Sequence, residues 1–215
     1  KRYNLRNNMY IRMNDRLNFR LDIAATYSRR AANPYQSSVF GFMNSKDPLM
    51  LAQWSDGSYA PFTGGTVNPL PMIEQGVGGN NIRQNGVLKA SAALEYKPVQ
   101  WLTLEVKAAP QLTAVKTHRF VDLVEYHSDP YGTVSKTSNA EYNSLDETVT
   151  AAWNGYYHAT AAATRQFGGH SFKLLVGASY EEYDYYSLGA YRQEFAYPDY
   201  EVISAGGDNE FKDNS

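Results

Sequence analysis

Cysteine is missing altogether from these 215 residues. Its absence removes a disulfide scaffold, a thiolate nucleophile and a cysteine zinc site together. No run of about 18 apolar residues occurs either, so no transmembrane helix is expected. A surplus of one charge sign is also lacking: 20 Lys and Arg face 22 Asp and Glu, for a net charge of −2. Without a basic patch, nucleic acid is not an expected partner. Catalytic motifs are scarce. There is no G-x-S-x-G elbow. His118, His127, His158 and His170 have neither helical i, i+4 spacing nor an H-E-x-x-H context, and read as surface or lumen histidines. Glu181 and Glu182 are adjacent on a strand, so they point to opposite faces and do not pair for acid–base work. Asp208, Glu210 and Asp213 lack the spacing of a calcium loop. GVGGNN (76–81) is followed by no Gly-Lys-Ser/Thr and is not a phosphate loop. The expectation is no enzyme, no cofactor and no metal. The opening KRYNLRNN carries no apolar h-region, so no signal peptide is expected there.

What is present is a period of two. In LNFRLDIAATYSRR, Leu17, Phe19, Leu21, Ile23, Ala25 and Tyr27 alternate with Asn18, Arg20, Asp22, Ala24, Thr26 and Ser28. That pattern is a strand with one apolar and one polar face. YNLRNNMYIRM alternates likewise before it, joined through the turn residues Asn14-Asp15-Arg16. Two more pairs follow, GVLKASAALEYK with WLTLEVKA and NGYYHATAAATR with SFKLLVGASYE. Hairpins are therefore expected at about 3–28, 86–109 and 154–182, with long segments at about 30–81, 114–147 and 186–215 between and after them.

Short and long connections thus alternate. Loops beyond about 12–15 residues are uncommon in compact domains, whereas membrane barrels combine short turns at one end with long loops at the other. Mean hydropathy of −0.52 disfavours a helical membrane protein and leaves a barrel open, since lumen and loops are polar. The expected fold class is all-β: an antiparallel up-and-down meander of about six strands, part of a larger transmembrane β-barrel with short periplasmic turns and long extracellular loops. Polar residues including Arg20, Asp22, Lys89 and Glu105 would face the lumen. An antiparallel sheet with one solvated face alternates in the same way, so a soluble β-sandwich, carbohydrate-binding or adhesive, stays as the alternative. In the first long segment Asp47 and Pro48 suit the start of a short helix. The chain holds 18 tyrosines; Trp54, Tyr59, Phe62, Tyr183, Tyr185, Tyr186 and Tyr191 are candidate contacts for a ligand or partner, or aromatic packing of the loops.

The ordered set KRYNLRNNMYIRMNDRLNFRLDIAA, NPLP, LEYKPVQWLTLEVKAA, FGGHSFKLLVGASYEE and AYRQEFAYPDYEVISAGG resembles the SusC/RagA family of TonB-dependent outer-membrane transporters, over nearly the whole chain. The resemblance implies a barrel of about 22 strands around a plug. It implies import of oligosaccharides or peptides with a SusD-like surface lipoprotein, energy from the TonB complex, contact with outer-membrane lipid, and placement in a Gram-negative outer membrane. No plug and no TonB box are recognised in the sequence, so the chain is expected to be a partial barrel.

Overall fold

The structure is a computed structural model. It describes all residues except 46–48, 62–67, 75, 132–133, 138–139, 208–211 and 215, and the backbone alone of 134–137 and 212–214. Among the described residues the strands are β1 (Arg2–Asn14), β2 (Leu17–Ala32), β3 (Gly79–Val99), β4 (Leu102–Ala108), β5 (Gln111–Val121), β6 (Glu125–His127), β7 (Val134–Thr137), β8 (Ser144–Phe167), β9 (His170–Gln193) and β10 (Lys212–Asn214). One helix, α1 (Val39–Asn44), and a 3-10 turn at Ile203–Ala205 complete the elements.

The main sheet runs β1-β2-β3-β4-β8-β9-β10, with β5 paired to both β3 and β8, and β6 and β7 form a separate pair. Register follows the alternation. Met9 lies opposite Leu21 and Ile11 opposite Phe19, while Leu94 lies opposite Val106 and Tyr96 opposite Leu104. Because the side-chain period is two, a slip of one residue would turn every apolar side chain to the other face. The pairings β3–β4–β8–β5 form a small ring within the sheet, and its origin is one proline. Pro110 has no N–H to give to a ladder, and it breaks an otherwise continuous run into β4 and β5. The break stays hydrogen-bonded: Ala109 N–H donates to Tyr156 (2.7 Å), and Ala90 N–H donates to the Pro110 carbonyl (3.0 Å).

Contacts divide the chain into two compact units. The first is Lys1–Arg29, Gln84–Val115 and Thr150–Ser187; the second is Arg30–Arg83, Lys116–Val149 and Leu188–Ser215. In the first, the apolar face is largely open: Leu5, Phe172, Leu174 and Val176 are exposed, and Ala93 is the one buried apolar side chain among its described residues. The second holds two cores. One gathers Tyr35, Val39, Met72 and Val121; the other gathers Phe120, Leu145 and Phe195. Phe120 meets Phe195 edge-on at 5.5 Å, a favoured aromatic geometry. Phe120 and Val121 are neighbours on β5, so their side chains leave the strand on opposite sides and enter different cores.

Two expectations are corrected here. The transmembrane barrel is not what the strands form: among the described residues the main sheet is open, with β1 at one end of the order and β10 at the other. The multi-pass outer-membrane placement, with its periplasmic turns, extracellular loops and lipid contact, depended on that barrel and is corrected with it. An open strand edge in hydrocarbon would leave N–H and C=O groups unpaired. Among the described residues no helix is long and apolar enough to cross a membrane. Regular structure also runs further than the hairpins expected from sequence. β5 reaches Val121 and β8 begins at Ser144, inside the segment expected as loop. The start of the helix expected at Asp47 and Pro48 lies outside the described residues, residues 49–54 where it would continue are not helical, and the observed helix is α1, a few residues earlier.

Candidate functional site

In the second unit, the segment between β2 and β3 is fastened by its own polar groups. A tight turn brings Ser58 back on Trp54: the Trp54 N–H donates to the Ser58 carbonyl (2.8 Å) and the Gly57 N–H to Trp54 (3.0 Å). Asp56 accepts from the Ser58 N–H (3.0 Å) and hydroxyl (2.7 Å). The Trp54 indole N–H donates to the His127 carbonyl at 2.7 Å. The Tyr59 hydroxyl donates to Glu74; burial, and then this carboxylate, push the phenol up to about 12. Asn68 is 1% exposed and fully used. Its amide donates to Ala52 (2.6 Å) and Ala60 (2.8 Å), and its oxygen accepts from Leu70 N–H (3.1 Å). Burial of such a group is tolerated because each of these atoms is paired.

The same unit holds a cavity of about 630 Å³. Val39, Phe40, Met72 and Ile73 give it apolar walls, and Arg30, Gln36, Glu74 and Asn80 bring polar groups to it. Phe40 and Ile73 are 76% and 61% exposed, so apolar area stands ready for a ligand. An apolar hollow with a few polar groups is the usual form of a small-ligand site. Tyr191 lines a second cavity of about 510 Å³ with Tyr142, Gln193 and Glu194, and the Gln193 amide donates to its hydroxyl at 2.6 Å.

The remaining described candidates from the sequence fall in the first unit. Tyr183 and Tyr185 stack on one face of β9, with centroids 6.5 Å apart and planes 15° apart; both are exposed, as is Tyr186. Phe62 lies outside the described residues. Arg20 donates to Glu105, which also meets His158 Nε2 at 3.3 Å. Asp22 and Lys89 share a hollow of about 460 Å³ with Arg6 and Lys107. In an open sheet these four sequence-named residues lie on its polar face, with no lumen for them to line.

No protein-family model matches the chain, and no curated protein matches it. Solved structures do. A chain of the RagAB peptide importer in its closed-closed state superposes with a TM-score of 0.68 at 16% identity, over 97% of this chain and 23% of that one. The RagAB peptide transporter gives 0.66 at 17% identity, again over 97% and 23%. The open-open state of the importer gives 0.66 at 17% identity, over 98% and 23%. At such identity the likeness is one of fold. The chain spans about a quarter of the length of the chains it matches. The resemblance to the SusC/RagA transporters is therefore corrected: what is shown is a shared fold with part of a distant chain, and the assignment as a segment of a TonB-dependent outer-membrane transporter does not stand.

One cluster was not read from sequence. His118, on β5, is bonded on both sides: Nδ1 lies 2.7 Å from Glu147 of β8 and Nε2 lies 2.6 Å from Glu201. Lys116 sits 3.3 Å from the same Glu147 oxygen. Asn80 donates to both oxygens of Glu201, at 2.6 and 2.8 Å. Burial alone would lower the His118 pKa, but the bonds to Glu147 and Glu201, and their charges, outweigh it and hold it above the ordinary value. Burial raises Glu147 in turn, and the bonds to His118 and Lys116 overcome that and bring it below the usual carboxylate range. The sequence carries no period-two signal for it: residues 114–121, AVKTHRFV, put two apolar residues at each end and four polar ones between, without the alternation that marks a half-buried strand.

Proposed function

We propose that this chain is an all-β ligand-binding module of a longer protein, without enzymatic activity, which captures peptides in association with a transport complex. The likeness in fold to chains of the RagAB peptide importer, over 97% of this chain, is the observation that carries the reading. The cavity of about 630 Å³ beside α1 supports it, because apolar walls with Arg30 and Glu74 at hand suit a zwitterionic ligand with an apolar side chain. A SusD-like lipoprotein is the finer choice of partner, tested by co-purification with the full-length protein. A carbohydrate-binding or adhesive role is the second reading, favoured by the exposed stacked pair Tyr183–Tyr185, since flat aromatic area with a polar tip suits sugars as well.

Titration of the chain with short apolar peptides and with oligosaccharides, followed by calorimetry, separates the two. The first reading expects saturable peptide binding, weakened at least tenfold in Phe40→Ser. Saturable binding of oligosaccharide alone, lost in a Tyr183→Ala/Tyr185→Ala double variant, would favour the second. Heat from neither class would remove the binding reading.

A further inference from the structure

His118 stands between two carboxylates that belong to different elements, Glu147 on β8 and Glu201 on the segment after β9, at 2.7 and 2.6 Å. An ionised carboxylate only accepts hydrogen bonds, and a neutral imidazole has a single N–H. Both bonds are made together only when the ring carries two N–H groups, as the imidazolium. We propose that His118 is a proton-operated latch that holds the segment 197–202 against the end of the sheet while protonated and releases it on deprotonation.

The surroundings decide which bond gives way. Glu147 remains on a strand neighbouring β5 and keeps Lys116 at 3.3 Å. Glu201 lies outside the strands and keeps only the neutral amide of Asn80 among the described hydrogen bonds to its side chain. The charges facing the ring add to the effect. Glu147 comes from β8 and Glu201 from the final segment, with Lys116 of β5 on Glu147; Asp122, just beyond β5, feels Glu201 and Asp199 in turn. The carboxyl of Asp122 is held above its usual value, by burial first and then by Glu201 and Asp199, so negative charge is already crowded here. Loss of the imidazolium leaves the Glu147 and Glu201 carboxylates on either side of a neutral ring, and the repulsion falls on the segment outside the strands.

The fastening on either side limits how much moves. Asn143 grips Phe195 twice, donating to its carbonyl (2.9 Å) and accepting from its N–H (2.7 Å). Gly207 N–H donates to Gln193 at 2.8 Å. Between these points the segment has only short-range backbone bonds among those seen: Tyr200 N–H to Tyr197, Val202 N–H to Tyr200, Ala205 N–H to Val202 and Gly206 N–H to Ile203. Tyr197 and Tyr200 are 77% and 60% exposed, so little apolar burial opposes their release, while Ile203 and Ala205 stay packed against the Phe120–Leu145–Phe195 core.

The test is hydrogen exchange of the Tyr200 and Val202 amides in the full chain at pH 5.5 and pH 8.5, each rate corrected for intrinsic exchange. Corrected exchange at least tenfold slower at the lower pH is expected in the wild type, with little pH dependence in His118→Gln. Should that variant fail to fold, Glu201→Gln serves, because it keeps the ring and removes the charge that holds it. Nitrogen-15 spectra of the imidazole supply a second reading, with both nitrogens protonated at pH 5.5. Equal corrected rates at the two pH values in the wild type, a pH dependence that persists in the variant, or a neutral ring at pH 5.5 would each overturn the latch.

Discussion

Three glycines separate backbone strain from steric conflict in the second unit. Gly79, where β3 begins, has φ +99°, and a Cβ there would lie 2.2 Å from the Phe120 carbonyl oxygen and 2.9 Å from the Asp122 nitrogen. Both neighbours are backbone atoms, and they follow Gly78 closely, whose carbonyl accepts the Asp122 N–H at 3.1 Å. Gly57 has a similar φ of +90° with nothing within 4 Å of its Cβ position, and Gly41, inside α1, has open space and an ordinary φ. Alanine at Gly57 should cost roughly 1–3 kcal/mol, the price of a left-handed conformation for an L side chain. Alanine at Gly41 should stabilise by about 0.5–1 kcal/mol through helix propensity. Alanine at Gly79 carries the strain and the conflict together, and should exceed about 4 kcal/mol, the range in which single substitutions unfold a domain. Urea unfolding followed by circular dichroism measures all three, with the midpoint read at constant slope. A Gly79→Ala midpoint no lower than that of Gly57→Ala would refute the close passage of β3 against residues 120–122.

Other substitutions follow from the same contacts. Asn143→Ala strips two bonds from the buried Phe195 backbone, and a loss of about 3 kcal/mol is expected in chemical denaturation. Phe120→Ala empties the centre of the Phe120–Leu145–Phe195 core and should cost about 3–5 kcal/mol by thermal or urea melts. Protonated His118 is favoured in the folded chain, with a pKa above its ordinary 6.5. Its stabilisation is therefore complete below pH 6.5 and fades as pH rises through the folded value. The stability difference between wild type and His118→Gln, measured in urea across pH 5–9, should shrink in that direction. The exposed face bearing Leu5, Leu174 and Val176 should bind a hydrophobic dye and promote self-association; light scattering of a Leu174→Lys/Val176→Lys variant should show less of it.

Strand faces were legible because they depend on a local rule. A period of two over ten residues places Phe19 against Ile11 and Leu94 against Val106 with no knowledge of what lies beyond the hairpin. The tyrosine and tryptophan candidates were less legible, since an aromatic side chain in a loop reads alike whether it waits for a ligand or is fastened. Trp54 proved to donate to His127, 73 residues away. The His118 cluster was not legible at all as a site. Its partners come from 29 and 83 residues further along the chain, and no spacing rule connects them. Closure of the sheet was misjudged for a related reason. Alternation says that a strand has two unlike faces, and says nothing of whether the last strand finds the first.

The two units show why alternation alone is a weak basis for stability. β1 carries a regular pattern along Arg2–Asn14, yet all thirteen residues are exposed, so its order comes from the ladder to β2 and the cross-strand pairs along it. Such pairs contribute roughly 0.2–1 kcal/mol each, less than a fully buried leucine or phenylalanine side chain at about 1.5–3 kcal/mol. The second unit has less regular structure in the segment between β2 and β3, but Met72 there is 2% exposed and Ala60 3%. The segments that look least ordered in the sequence therefore hold the buried side chains, and the most regular stretches depend on hydrogen bonds at an open edge. Substitutions in the loop cores should thus unfold the chain more readily than substitutions of equal size along β1, although the periodic pattern would suggest the reverse.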